Sequence, residues 1–577
     1  VTTDVRRTDA GAGERSERRI LLAAWLVLAA LALALTARDL SAPGLYYDEV
    51  IQAEAAREFL DAGSSPLRIP GASSARLMGR WLPLFTQPYM GALKSQLLIP
   101  PFAAFGASGA SLRATTLAWG MLALLAAMLL AHRLLGLGPA LLAGALLAAD
   151  PGFLFVSRHD WGSFALALLL RCAGLSLFLT GWKAHSQAER AASRRRAKFI
   201  EFAAGLCFGL GVYNKIDFAV PLAAAALALV AAAPRSVASA LRTRRRELLP
   251  VAAGLLLGAA PMLGELGMTL LVTRDALGPG TDAGSWSEKL YALRGVLDGS
   301  YFDRLMRAGG SFERMFEVEG AARSPFLAIY ALAAAWLAGR IALRARRGEW
   351  DPAAVFVLAT ALFSSLGILA TPRAVRVHHV LGAYPFPQLV VAAAILDLAG
   401  PRRARARRAA AALLAALAIG GSLWASARTF DTIARSHGKG RWTDATRELA
   451  RELVAEPGAV AVSLDWGFHA QLRFLAPQLE LREPIWALAR WNAQAASWTS
   501  EGDERTRYLL WDRDLAVFPF GPAFLDAVRG VDSTRVAIRV HADHEGDPAF
   551  FSVRIAGPHR IVYRGQRAAR PFEVILE

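Results

Sequence analysis

Gly44–Leu60 reads GLYYDEVIQAEAAREFL and follows directly on the first long apolar run, Ile20–Thr36. Two carboxylates, Asp48 and Glu49, stand where the chain leaves that run. Asp48 is placed to cap a helix that begins there. Within the helix Ile51, Ala55 and Phe59 recur at helical spacing, and Ala56 and Leu60 widen the stripe. Glu54, Arg57, Glu58 and Asp61 fall on the other face. The pattern predicts a helix lying in the headgroup layer rather than crossing it. A capped, solvated helix start needs no more than this. A pair of acids held at the water boundary also suits a catalytic base facing a lipid-borne substrate.

The chain around this stretch is 577 residues long, 54% hydrophobic, with mean hydropathy +0.33. That is too apolar for an ordinary soluble chain of this size. Runs rich in Leu, Ala and Val, about 18–22 residues each, recur from Ile20 to Ala427 and are long enough to span a bilayer. The net charge of +17 raises the question of nucleic acid. The Arg residues, however, fall in short blocks between apolar runs, as positive-inside loops do, so no nucleic-acid partner is expected. Cys172 and Cys207 both lie inside apolar runs, and no disulfide is expected. Arg far outnumbers Lys and Ala is abundant, a composition that fits a bacterial genome of high G+C content.

Val1–Arg19 is basic, and with Ile20–Thr36 it has the outline of a signal peptide. The acidic motif that follows at once favours a retained first span, with a cytoplasmic N-terminus and with Asp48 and Glu49 outside. Asp39–Ala110 is then a long external connection. In it Gly91–Phe105, short and broken by Pro100 and Pro101, predicts a second interfacial or re-entrant helix. Further spans are expected at about 112–131, 138–156, 163–182, 200–213, 217–233, 248–272, 324–339, 352–371, 379–399 and 409–427. This count brings every Arg-rich block to the cytoplasmic side. The expected architecture is a polytopic α-helical module over residues 1–428, with about eleven spans, in a bacterial inner (plasma) membrane. Residues 429–577 have short apolar runs and mixed charge. A helix at Thr443–Val454 and strands at Ala459–Leu464, Tyr508–Trp511, Val536–Val540 and Phe551–Ile555 predict a small extracytoplasmic α/β domain.

This topology gathers the polar loops on one face. Asp48 and Glu49 lie in the first external loop, with Tyr89 and Lys94 further along it; Arg158, His159 and Asp160 lie in the second. Tyr213, Asn214, Lys215 and Asp217 lie in the third, and Arg373, Arg376, His378 and His379 precede the span at 379–399. A sugar on a polyprenyl phosphate presents its anomeric carbon at headgroup level. Its phosphate leaves readily and asks for cations more than for a general acid. The acceptor hydroxyl is a poor nucleophile and asks for a carboxylate to take its proton. Asp48 suits that carboxylate, and Lys94 or Lys215 suits the cation. Asp160 paired with Arg158 at a span end, or Lys215 snorkelling to the interface, would serve structure alone. His378 and His379 are adjacent and lack a partner at metal-ligand spacing, so no metal is assigned. Arg171 and Glu265 lie within spans, where charges are functional or structurally paired. No Walker A loop, dinucleotide-binding glycine motif or HExxH is present.

The first-loop stretch YYDEVIQAEAAREFL resembles the acidic motif of GT-C fold glycosyltransferases, in their protein O-mannosyltransferase-like and aminoarabinose-transferase-like branches. The resemblance continues, in the family's order, through PYMGALKSQLLIPPFAAFGASGASLRATT, LLAADPGFLFVSRHDW, GLCFGLGVYNKIDF and HHVLGAYPFPQL. It covers roughly the first 400 residues and none of the tail after Thr429. It implies a GT-C-like fold, a polyprenyl-phosphate-linked sugar as donor, and transfer on the extracytoplasmic side. Asp48 matches the family's catalytic acid and Asp160 its second-loop acid. Lys94 falls where a phosphate-contacting lysine is common, although the family's Lys-Pro-Pro reads Lys-Ser-Gln here. Lys215 looks like a lysine carried after the glycine-rich span.

The expected function is thus sugar transfer to an extracytoplasmic acceptor, whether protein, lipid or glycan. Asp48, Glu49 and Asp160 are the catalytic candidates. Lys94, Lys215, Arg158, His159, Tyr89, His378 and His379 are the substrate-binding candidates. A transporter or lipid flippase would rely on Arg171 and Glu265 instead. An assembly subunit would rely on the tail.

Overall fold

The structure, a computed structural model, describes residues 2–61, 72–186, 191–243, 245–265, 267, 286–371, 377–400, 404–485, 497–565 and 571–577. It opens with helices α1 (Thr2–Thr36) and α2 (Tyr47–Leu60), strands β1 (Ser73–Leu77), β2 (Arg80–Gln87) and β3 (Met90–Gly91), and helix α3 (Leu93–Phe105). Helices α4 (Gly109–Leu135), α5 (Leu137–Ala149), α6 (Pro151–His159), α7 (Phe164–Ser186), α8 (Ala191–Asn214), α9 (Ala219–Ala232), α10 (Pro234–Thr243) and α11 (Leu249–Gly264) follow. Later long helices cover Phe326–Arg346, Pro352–Ala370, Phe386–Ala399 and Arg405–Ser436.

Each of the eleven expected spans overlaps a helix; of the one expected at 248–272, most of the stretch past Glu265 lies outside the described residues. Among the described residues seven helices are long and apolar enough to cross a bilayer, and two bent pairs bring the number to nine. The other two expected positions are α8, whose start carries Arg194–Arg196, Lys198 and Glu201, and the 14-residue helix Phe386–Ala399. The chain is therefore a polytopic α-helical membrane protein. Two observations explain how the bundle closes. Gly205 and Gly209 of α8 face Gly254 and Gly258 of α11, and a Cβ on any of the four would overlap the other helix's backbone. This is the small-xxx-small contact by which apolar helices approach closely without a hydrophobic driving force. The span expected at 138–156 is instead bent by 63° at Asp150, between α5 and α6. The Asp-Pro pair is the cause: Asp150 accepts from Phe153 N (2.8 Å) as N-cap, and Pro151 opens α6 without needing a donor.

The first loop departs from expectation in two ways. It contains an antiparallel sheet, β1-β2-β3, between its helices. And α2 is not half-solvated. Its N-cap is Tyr46, not Asp48, and Glu49, Gln52 and Glu54 are each 1% exposed. The polar face expected to meet headgroups meets protein, the helix Phe468–Leu475. Arg473 pairs with Glu54 at 2.9 Å and also with Glu58, Arg57 donates to Phe474 O, and Gln471 donates to Leu45 O. An amphipathic face is covered by whatever offers matching charge, and here that is a segment more than 400 residues away in sequence.

That covering segment belongs to a C-terminal α/β region. Strands β4 (Val460–Ser463), β5 (Glu480–Arg482), β6 (Ser497–Gly502), β7 (Thr506–Trp511), β8 (Val536–Ala542), β9 (Pro548–Ile555), β10 (His559–Arg564) and β11 (Phe572–Leu576) form two sheets. One has the order β5-β4-β7-β9-β8, parallel across β5-β4-β7 and antiparallel beyond; the other is antiparallel β11-β10-β6. The helix expected at Thr443–Val454 is Ala445–Ala455. The last long helix runs on past residue 428 to Ser436 before this region begins. The two halves meet at the acidic motif. Tyr46 stacks on Trp442 (centroids 4.5 Å apart, 11° between planes), and Gly44 lies so close to Thr443 O that a Cβ would overlap it. Gly44→Ala is expected to lower stability by about 1–3 kcal/mol, read as a lower unfolding temperature in detergent, because neither backbone can yield.

Candidate active site

The site is built at the sheet-bearing end of the bundle, where four connections meet. Asp48 lies in the first turn of α2, partly exposed, and its Oδ2 accepts from Trp161 Nε1 at 2.5 Å. One turn further, Gln52 accepts from Ser163 Oγ, and Ser163 O accepts from Asn214 Nδ2 at 3.3 Å. These bonds tie the first three polar loops together. The turn between β2 and β3 joins them through Tyr89, whose carbonyl accepts from Ile216 N at 3.1 Å. The surrounding protein, and then the charges of Asp48 and Asp217, push the Tyr89 phenol above its ordinary pKa, although 38% of the residue stays open. Tyr89 thus lies within electrostatic reach of both acids.

Behind this rim is a fully buried ion pair. Lys94, in the first turn of α3, places Nζ 3.1 Å from Asp160 Oδ2 and 3.3 Å from the Asp160 carbonyl. Asp160 Oδ1 accepts from Ala165 N (2.9 Å) at the start of α7. Asp160 sits at φ +37°, the left-handed region that Asp tolerates better than most residues. The residues after it turn into a pocket lined by Gly162, Arg171, Lys215, Asp217 and His379, with apolar walls from α7, α9 and the helix Pro352–Ala370. Lys215 Nζ is 2.9 Å from Asp217 Oδ2, and His379 Nδ1 is 3.1 Å from the same oxygen. Arg171 enters the pocket from seven residues inside α7, about 10 Å along the helix from its start. One Nη donates to the Tyr384 carbonyl, and its buried Nε has no hydrogen-bond partner among the described residues.

Of the expected site residues, Lys215 and His379 line this pocket, whereas Glu49, Arg158 and His159 are buried elsewhere in the fold. Glu49 is held bidentately by Arg113, with Nε to Oε1 at 2.7 Å and Nη2 to Oε2 at 2.9 Å. The remaining Arg113 N–H groups donate to Leu40 O, Pro43 O and Gly44 O, so all five are used. Burial alone would raise the Glu49 carboxyl, but the Arg113 charge and hydrogen bonds, aided by His159, bring it to about 2. Arg158 donates to the carbonyls of Asp39 and Ala42. His159 is buried against Phe155 and Trp442. These residue types point to chemistry in a sequence, but here all three side chains are buried in the fold. The side chain of His378, with Arg373 and Arg376, lies outside the described residues. Trp161, Arg113, Gln52 and Ser163 were not singled out by sequence reasoning. Arg171 was noted there, but nothing in a lone intramembrane Arg says that it faces a pocket. Among the described residues no three His or carboxylate groups gather at metal-ligand separation in this pocket.

No family model matches the chain, and no curated protein sequence matches it. Among solved structures it is similar to ArnT from Cupriavidus metallidurans bound to undecaprenyl phosphate, with TM-score 0.52 and 14% identity over 92% of this chain and 97% of that one. The apo state of the same protein aligns with TM-score 0.50 and 13% identity, over 95% of this chain and 100% of that one. At such identities the likeness is one of fold: the chain has the GT-C fold, a polytopic helical bundle followed by a C-terminal domain.

The Glu49–Arg113 pair makes two measurable claims. Arg113→Met strands a buried carboxylate and is expected to cost about 3–5 kcal/mol of stability. The Glu49 pKa is depressed on folding, so its contribution is complete above its ordinary value of 4.5 and lost as pH falls through about 2. The gap in unfolding temperature between the parent and Glu49→Gln is therefore expected to shrink over that window.

Proposed function

We propose that this chain is an integral membrane glycosyltransferase that moves a sugar from a polyprenyl-phosphate donor to an acceptor, with Asp48 as general base. The observation that carries the reading is the partly exposed Asp48 carboxylate, linked through Trp161 and the Ser163 loop to a cation-bearing pocket. The fold shared with a protein crystallised on undecaprenyl phosphate supports a lipid-phosphate donor. The Arg-rich segments at the opposite end of the bundle support a cytoplasmic N-terminus and a site on the extracytoplasmic face of a bacterial inner membrane.

In this reading Lys215 and Arg171 hold the phosphate and His379, through Asp217, orients Lys215. Asp48 accepts the acceptor's proton as the acceptor oxygen or nitrogen forms its bond to the anomeric carbon. The bond from that carbon to the phosphate oxygen breaks, and the charge that develops on the phosphate is met by the cations. Tyr89, partly open, lines the approach. The Lys94–Asp160 pair fixes the loop that carries Trp161, so Asp160 and Lys94 position rather than react. Glu49, Arg158 and His159 hold the backbone of the acidic motif. The transporter reading gains less, because Glu265, the second charge it needs, does not line the pocket with Arg171.

Asp48→Asn is expected to cut transfer about 10²–10⁴-fold while expression and membrane insertion stay normal. The assay incubates purified protein with a panel of polyprenyl-phosphate sugars and follows donor consumption; near-normal turnover of the variant rules out the base. Lys215→Met and Arg171→Met are each expected to lower kcat/KM for the lipid donor by about 10- to 100-fold, the loss of one charged hydrogen bond.

A further inference from the structure

Away from the pocket, three donors from separate elements converge where the helical bundle meets the C-terminal sheets. His437 follows the last long helix, Asp444 lies in the segment after it, and His544 lies in the turn between β8 and β9. One ligand atom from each lies within 4.8 Å of the other two. His544 Nε2 is 3.1 Å from Asp444 Oδ2, and the two imidazole rings lie 4.5 Å apart, tilted by 31°.

The backbone around both histidines is closely constrained. His437 is left-handed at φ +49°. The next residue, Gly438 at φ +98°, is pressed against Pro43 and Trp442 O so closely that a Cβ would overlap both. The turn that carries His544 is pinned by Asp543, whose Oδ1 accepts from Glu545 N (3.0 Å) and Asp547 N (3.1 Å). The same turn brings Glu545 and Asp547 to Lys439, with Asp547 at 3.9 Å, so the ground around the cluster is mixed in charge and not simply acidic.

We propose that His437, Asp444 and His544 bind one zinc ion, which clips the C-terminal sheet to the end of the last long helix. Two imidazoles and one carboxylate are a borderline-soft donor set suited to zinc, and the partly exposed position leaves a fourth place for water. The His544–Asp444 separation already matches that of two ligands on one tetrahedral ion, and a ring nitrogen of His437 lies within 4.8 Å of both. Zinc takes the place of the hydrogen bond between His544 and Asp444, both of which become ligands to the ion. The clip fixes the segment 437–444, whose Trp442 stacks on Tyr46 beside Asp48. It therefore holds a wall of the candidate active site without contributing a reacting atom.

The test uses the full chain in detergent, stripped with a chelator and dialysed against zinc chloride. Bound zinc is counted by elemental analysis in the parent, in His544→Ala, which alters an exposed turn, and in His437→Asn, which keeps a residue tolerant of the left-handed backbone. The parent is expected to hold about one equivalent more than either variant, and zinc is expected to raise the unfolding temperature of the parent alone. Cobalt(II) in place of zinc is expected to give the parent a visible ligand-field band that both variants lack. Equal zinc content in the parent and both variants, or a parent without the cobalt band, overturns the proposal.

Discussion

A guanidinium with every N–H occupied is the point on which this structure turns. Arg113 stands at the top of a membrane-spanning helix, yet it is fully buried, and its five donors meet two carboxylate oxygens and three carbonyls. Taking two charges out of water is costly, and the cost is offset only when geometry leaves no lone pair or proton idle. The Glu49–Arg113 pair meets that condition. In doing so it fixes the backbone from Leu40 to Glu49, and so the place at which Asp48, the residue just before Glu49, meets solvent. Adjacent acids in one motif thus divide the work. One is buried and neutralised, the other is presented.

The same division runs through the rest of the polar face. Arg158 and His159 are spent on backbone and aromatic packing, while Lys215, Asp217 and His379 reach the pocket. The Lys94–Asp160 pair lies between the two sets, buried, at the root of the loop that carries Trp161. A partly exposed rim over a buried, ion-paired foundation keeps the accessible groups in place without ordering them at the moment of binding.

The helical bundle was legible in the sequence because hydrocarbon leaves a chain few options: spans must be long, apolar and helical. The bend at Asp150 was written there too, as an Asp-Pro pair, but a continuous apolar run on both sides hid it. The strand cores at Val460–Ser463 and Thr506–Trp511 showed as short apolar clusters of the kind a parallel sheet buries. The small sheet of the first loop did not, since Ser73–Leu77 is polar and Arg80–Gln87 carries Pro83, which demotes a run as a strand. What covers α2 was invisible for a different reason. The face was read correctly as amphipathic, but its partner, Arg473, lies in a region that local pattern connects to nothing. Asp48 was picked out by its position, whereas Glu49 could be told from it only by seeing Arg113 in space.

The stacked rings of Tyr46 and Trp442, edged by Trp161 and Trp466, have a consequence for modularity. They weld the opening acidic motif to the residues just past the bundle. Exchanging the tail for another would require rebuilding that aromatic weld, so a graft of either half has to bring matching rings with it.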